Sequence, residues 1–269
     1  MARFRRSEIL IVGYFAYVAA VAPFYIDLPW RALALGVVVA GTIFAVSKTD
    51  NAMRDWLPLL ATLIASREMD WFAAPKNGSL ERVWIVWDRW LLDTAGWRAA
   101  IESAGALIPG YLELCYLLVY AVAPVALAAL FFNGSRSQVD RLWLAYLAAT
   151  LGSYALFPYF PSDPPRTVFP NQDLPAVTTA LRSVNLLIVG GYGIHSSVFP
   201  SAHVSSALGV AWALLAMLRR RRWIGWAMAA YGFSVAVATV YGRYHYAADA
   251  AAGIGMSLLA VAALQWTRR

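Results

Sequence analysis

Two short polar clusters stand out in the last third of the chain: Phe199-Pro200-Ser201-Ala202-His203 and Arg243-Tyr244-His245-Tyr246-Ala247-Ala248-Asp249. They hold two of the three histidines, and each lies at the edge of a long apolar run. Ionisable groups at such positions are costly to desolvate, which makes them candidates for function. His245 and Asp249 are four apart, the spacing that puts two side chains on one helical face. A carboxylate there can hold one imidazole nitrogen protonated and leave the other as a nucleophile. Arg243 adds a permanently charged, forked ligand for phosphoryl oxygens. In the other cluster Pro200 suits a first helical turn and Ser201 the helix entry. The free N–H groups of such a start favour a phosphate, to which Ser201 could donate its hydroxyl, with His203 inside the first turn. A third element, Tyr159-Phe160-Pro161-Ser162-Asp163-Pro164-Pro165-Arg166, offers a second guanidinium in Arg166. The combined chemistry is that of a phosphate ester. Taken singly, each cluster also has a plainer reading: a Pro-Ser helix start with an interfacial histidine, a surface His-Asp pair beside a snorkelling arginine, and a loop arginine facing lipid headgroups.

The elements that must position these residues are membrane helices. Only 14% of the residues are charged, against about 25% in a soluble domain. Mean hydropathy is +0.57, and the several long apolar runs indicate a polytopic helical membrane protein. The net charge of +7 sits in short connectors between apolar runs, so it reads as an orientation signal and not as a nucleic-acid surface. Cys115, the single cysteine, lies inside an apolar run, which excludes an intrachain disulfide and suits a packing role. One cysteine and three histidines make a zinc or iron site unexpected, and no cofactor is called for. The start of the chain, Met1-Ala2-Arg3-Phe4-Arg5-Arg6 before an apolar run and Ala20-Val21-Ala22, is shaped like a signal peptide. The run is long enough to span and a second follows at once, so it is read as a retained first helix.

Clear spans are expected at about 9–26, 32–47, 111–132, 142–158, 203–218, 223–241 and 247–266. Arg219-Arg220-Arg221-Arg222 marks the cytoplasmic side, supported by Arg136 and Arg141, by Arg3, Arg5 and Arg6, and by Arg268 and Arg269. Both termini then lie inside, which requires an even number of crossings. The added one is 54–73, with an interfacial helix as the alternative for that stretch. The expectation is one all-α membrane domain over 1–269 with about eight transmembrane helices: two N-terminal ones in 1–50 and a six-helix core in 54–269. Residues 74–110 and 158–202 fall outside the membrane, and 84–107, rich in Trp and mixed charge, reads as an interfacial helix capping the site. All three polar elements converge on that outer face.

At these residues the chain resembles the type-2 phosphatidic acid phosphatase superfamily, in which a Pro-Ser-x-His element precedes a His-x-x-x-Asp element. The variant is similar to the inositol phosphorylceramide synthase-like branch, whose Pro-Pro-rich first element and Arg-x-His-Tyr-x-x-x-Asp third element match Pro164-Pro165-Arg166 and Arg243 to Asp249. The chain departs from the broader superfamily in having Ala238 and Thr239 in place of a Ser-Arg pair, and no Lys in 154–159. The resemblance covers roughly 110–266. It implies a metal-independent mechanism in which His245 attacks phosphorus, Asp249 orients it and His203 protonates the leaving oxygen. Ser201, Arg243 and Arg166 hold the phosphoryl oxygens. Glu113, Tyr116 and Asp88 are candidate supporting or acceptor-binding groups, with interhelical packing an equal reading. His195 reads as lining the entrance.

The leading expectation is an enzyme of the bacterial inner membrane that hydrolyses a lipid phosphate on the extracytoplasmic face. Transfer of the phosphoryl headgroup to an alcohol is the alternative, and a lipid transporter or scaffold the rival class. Transporters carry charges at mid-depth, whereas here the polar clusters sit at helix ends.

Overall fold

The computed structural model describes residues 4–49, 52–76 and 78–266; the orientation markers Arg3, Arg268 and Arg269 lie outside them. Among the described residues the chain is all helix, with no strand. An N-terminal pair, α1 (Arg6–Val21) and α2 (Trp30–Val46), is followed by α3 (Ala52–Glu68) and by α4 (Ser79–Arg89) and α5 (Trp97–Glu102). Then come α6 (Leu107–Leu117), α7 (Val122–Phe132), α8 (Val139–Leu156), the short α9 (Pro165–Val168), α10 (Ala180–Tyr192), α11 (Ala202–Met217), α12 (Arg222–Tyr241) and α13 (Ala247–Trp266).

Among the described residues, four helical stretches are long and apolar enough to cross a membrane: Arg6–Phe24, Leu107–Phe132, Arg219–Tyr241 and Ala247–Trp266. Trp30–Val46 and Ala202–Met217 are apolar but shorter. Of the other expected spans, α3 carries Arg54, Asp55, Arg67 and Glu68 within its length, and α8 opens with Asp140 and Arg141. The expected outer helix over 84–107 is instead α4, a π turn over Trp90–Thr94, and α5. Helix α10 was not anticipated, since its apolar stretch is short and ends in Gly190-Gly191.

Helix α11 is the centre of the bundle, packed against α8, α12 and α13. Its small residues, Ser205, Ala207, Gly209, Ala211 and Ala213, let the neighbours approach closely. A β-carbon on Gly209 would stand 3.0 Å from that of Ala149 on α8. The Ser153 and Ser205 hydroxyls meet at 2.9 Å, which satisfies two buried polar groups. Helix α1 runs beside α8, with Asp140 accepting from the Ser7 N–H and hydroxyl at one end and Tyr17 donating to the Ala155 carbonyl at the other. At the Ser7 end Arg54 pairs with Glu8 at 2.6 Å, and Asp55 receives Arg5 and Arg136. These links fasten α1, α3 and α8 at the end remote from the histidines.

Candidate active site

His203 enters the bundle in the first turn of α11. The helix begins at Ala202, so Ser201 is its N-cap and Pro200 lies just before it, one position earlier than the sequence suggested. The Ser201 hydroxyl accepts from the Val204 N–H, and its backbone N–H donates to the Asp249 carbonyl at 3.0 Å. This ties the start of α11 to the start of α13. Gly253 permits that approach, because a β-carbon there would meet the Ser201 carbonyl oxygen at 2.6 Å.

His245 does not share a helical face with Asp249, as the spacing predicted. It stands in the turn before α13, whose first residue is Ala247. The two side chains still meet, because the Asp249 carboxylate in the first helical turn reaches back over the entry. Its Oδ2 accepts the Tyr246 N–H at 2.9 Å and lies 3.3 Å from His245 Nδ1. A nearer partner is the Val198 carbonyl, 2.9 Å from the same Nδ1. Both neighbours are acceptors, so Nδ1 carries the proton and Nε2 presents its lone pair. Burial first, then the Arg166 guanidinium, pull the imidazole down to about 3, with the Val198 carbonyl acting the other way. His245 is therefore neutral at ordinary pH.

The two imidazoles meet edge to face, with ring centroids 5.8 Å apart at 89°. Tyr116 and Tyr120 pack edge-on against His203 at 5.3 and 5.5 Å. Tyr116 stacks on Tyr244 at 3.9 Å. The Tyr244 hydroxyl donates to Glu113, which also accepts from Arg182 and Asn185 of α10. Arg166 lies 5.5 Å over the Tyr244 ring, with its backbone N–H directed at the Arg243 carbonyl.

A cavity of about 190 Å³ opens beside the histidines, and His203, His245, Arg166 and Tyr116 are in its wall. The remaining sequence-derived candidates stand behind that wall. Asp249 and Ser201 are fully buried. Arg243 is also fully buried, with Nη1 2.7 Å from Asp88 Oδ2, while its Nε and Nη2 have no hydrogen-bond partner. Asp88 uses its other oxygen to accept the Ala247 N–H at 2.8 Å. Burial pushes the Asp88 carboxyl up to about 6 despite the opposing pull of Ala247 and Arg243. Arg243 holds φ at 64°, a left-handed conformation uncommon outside glycine, so a buried ion pair secures a strained turn. Glu113 anchors Tyr244 without reaching the cavity. His195 is two-thirds exposed and paired with Asp70, outside the cavity wall.

The three loops do meet. Ser162 and Ser197 hydroxyls are 3.1 Å apart, Arg166 reaches Arg243, and Ser201 reaches Asp249. Sequence reasoning missed the Val198 carbonyl, which leaves no side-chain signal. It also missed Arg182 and Asn185, although a polar pair three apart in an apolar helix was a readable sign.

Membrane-length apolar helices in an all-helical bundle indicate a membrane protein, and two histidines and an arginine line its small cavity. The chain belongs to the PAP2 superfamily, whose family model matches residues 83–263. Members are generally phosphatases or phosphotransferases. No curated protein and no solved structure matches the chain.

Proposed function

We propose that the protein is a lipid phosphatase acting through a phosphohistidine. The observation that carries this reading is the neutral His245, with Nδ1 committed to two acceptors and its ring 5.8 Å from that of His203. Nε2 attacks phosphorus in line with the leaving oxygen, which takes a proton from His203, charged only once the anionic phosphate lies beside it. Water, deprotonated by His203, then attacks the phosphohistidine; phosphate departs and the Nε2 lone pair returns. Charge on the phosphoryl oxygens falls to Arg166 in the cavity wall, while Ser201 caps α11 and Arg243 stands behind the wall between Asp88 and Asp173. Asp249 orients His245. Glu113 and Tyr116 position the Tyr244 platform and His203, and Asp88 holds Arg243.

No metal is proposed, since Arg166 supplies the positive charge. Among the described residues no group of three or more His, Cys, Asp or Glu is placed to hold an ion. The second reading, transfer to an alcohol in the manner of the inositol phosphorylceramide synthase-like branch, draws on Thr62, Thr150 and Ser206 in the same cavity, whose hydroxyls donate to the Pro58, Tyr146 and His203 carbonyls and keep lone pairs for an acceptor's O–H.

We further propose one membrane domain with eight crossings in a bacterial inner membrane, both termini cytoplasmic and the site extracytoplasmic. Helix α11 supports this orientation, with His203 at its start and the arginine run Arg219 to Arg222 just past its end. The deciding experiment incubates purified protein in detergent and excess EDTA with a panel of lipid phosphates, with and without polyol acceptors. Phosphate release and an acid-labile phosphoenzyme absent from His245→Ala are expected. Activity restored only by a particular metal, or a phosphoenzyme that persists in His245→Ala, overturns the mechanism.

A further inference from the structure

A second and larger cavity lies at the end of the bundle remote from the histidines, where α7 gives way to α8 and α11 to α12. It holds about 910 Å³, within the roughly 300–1,000 Å³ of sites that take a small ligand. Arg141, Arg219, Arg220 and Arg221 stand in its wall, and no aspartate or glutamate does. Elsewhere at this end the chain balances its arginines with carboxylates, for Arg5 and Arg136 meet Asp55 and Arg54 meets Glu8. Arg141 is steadied by Gln138 Oε1 at 2.7 Å. Arg219, Arg220 and Arg221 are exposed and form no ion pair among the described residues. An orientation signal needs basic residues in a connector. It does not need three of them to share a concave wall with an arginine of another connector, while Arg222, the fourth of the run, stays outside it.

The wall also has an apolar side, with Met217 and with Phe132, which is 87% exposed at the end of α7. The membrane-length stretch Leu107–Phe132 ends in this wall and Arg219–Tyr241 begins in it. That puts the cavity at the level of lipid headgroups, where the exposed Trp223 and Trp226 of α12 are also suited to lie. Guanidinium groups gathered without a carboxylate select an anion, and their forked donors match phosphate oxygens. Exposed hydrocarbon beside them selects an anion that carries hydrocarbon of its own. We propose that this cavity binds the phosphate-bearing headgroup of an anionic membrane lipid. The site is separate from the histidine cavity, at the opposite end of α11, and does not depend on the reaction assigned to the histidines. A lipid held there ties the α7–α8 connector to the helix that carries His203.

The test is binding of phosphatidylglycerol, a phosphodiester with one negative charge, to the purified full chain in detergent. Phosphatidylcholine and water-soluble glycerophosphate are the comparison ligands. Wild type should bind phosphatidylglycerol about tenfold or more tightly than either. Arg220→Gln and Arg221→Gln should each weaken that binding about fivefold, the effect of one basic residue beside an anionic lipid. Arg222→Gln removes the same charge from the same run but outside the wall, and it should match wild type. Any lipid taken up by the histidine cavity contributes alike to all four proteins and cancels in the comparison. Phosphatidylglycerol should also raise the melting temperature of wild type more than that of Arg221→Gln. Equal losses in Arg221→Gln and Arg222→Gln would reveal diffuse surface attraction and overturn the site, as would no binding by wild type. Phosphatidylcholine bound as tightly as phosphatidylglycerol would overturn its selection of an anion. Glycerophosphate bound as tightly would make it a site for soluble phosphates and overturn the lipid.

Discussion

Replacing Asp249 by Asn tests how the proposed nucleophile is held. Where a carboxylate is the sole orienting group of a catalytic histidine, its amide costs about 10⁴ in kcat, because the wrong tautomer is selected. Here the geometry argues for a far smaller loss. The Tyr246 N–H donates to Asp249 Oδ2 at 2.9 Å, so an Asn at this position is pinned with its amide oxygen in that place. The NH₂ group then falls where Oδ1 now stands without a partner. His245 Nδ1 would still meet two acceptors, the amide oxygen and the Val198 carbonyl at 2.9 Å. What disappears is one charge-assisted contact, at 3.3 Å a long one. Hydrogen bonds to charged groups contribute about 1.5–3 kcal/mol, which is roughly a 10–150-fold loss of kcat/KM. The assay is phosphate release from a lipid phosphate by the purified variant, with thermal unfolding to verify that the fold is kept. A loss near 10⁴ in a well-folded protein would refute the claim that Val198 and Tyr246 preserve the tautomer.

Other consequences follow from the same geometry. His245, held down to about 3 by burial and Arg166, should place the acid limb of kcat/KM below its ordinary value of about 6.5. Arg166→Gln removes the neighbouring cation, favours the imidazolium and should move that limb upward in the pH–rate profile; an unmoved limb refutes the coupling. A depressed folded value also means that the stability His245 contributes is complete above about pH 6.5 and declines as pH falls toward the folded value. Acid titration of the melting temperature, compared with His245→Ala, measures it. His203→Ala should cost about 10²–10⁴ on an alkyl phosphate but much less on a nitrophenyl ester, whose leaving group needs no proton; equal losses would mean that the two histidines are assigned the wrong way round. Asp88→Ala leaves the fully buried Arg243 with only the more distant Asp173, 3.9 Å away, at a cost of up to about 3–5 kcal/mol. The double variant Asp88→Leu, Arg243→Met should recover part of it in thermal unfolding.

The helices were legible because their signals are summed over many residues. The apolar runs at 9–26, 111–132, 223–241 and 247–266 correspond to stretches of membrane-crossing length. The two histidine elements were legible as neighbours because each sits at a helix start. Their detailed partners were not. The spacing of His245 and Asp249 suggested a shared face, yet the helix begins between them and the contact is a capping geometry. Arg243 reads in sequence as a phosphate ligand, but a guanidinium meets a carboxylate and a phosphate with the same fork. Nothing local reveals that Asp88, 155 residues away, lies within 2.7 Å. Helix α10 escaped because its apolar stretch is too short to span and its role, holding Glu113 through Arg182 and Asn185, is visible only in three dimensions.

The separation of the two histidines is set where two helix starts meet. The Ser201 N–H to Asp249 carbonyl bond and the close approach at Gly253 lock two helix starts together. His203 leaves from one start, and His245 is held against the other by Asp249 and Val198. A fixed separation of nucleophile and proton donor costs no reorganisation at the moment of reaction. Arg166 is held differently, on the four-residue helix α9 and by long contacts to the Arg243 and Tyr244 carbonyls. If phosphate binding moves any part of this site, the weaker attachment makes it the Arg166 side. With the proton donor and nucleophile fixed, the reaction common to both readings is set by α11 and α13. On the proposed reading, the choice between water and an alcohol falls to the rest of the cavity wall, which includes Thr62 of α3 and Thr150 of α8.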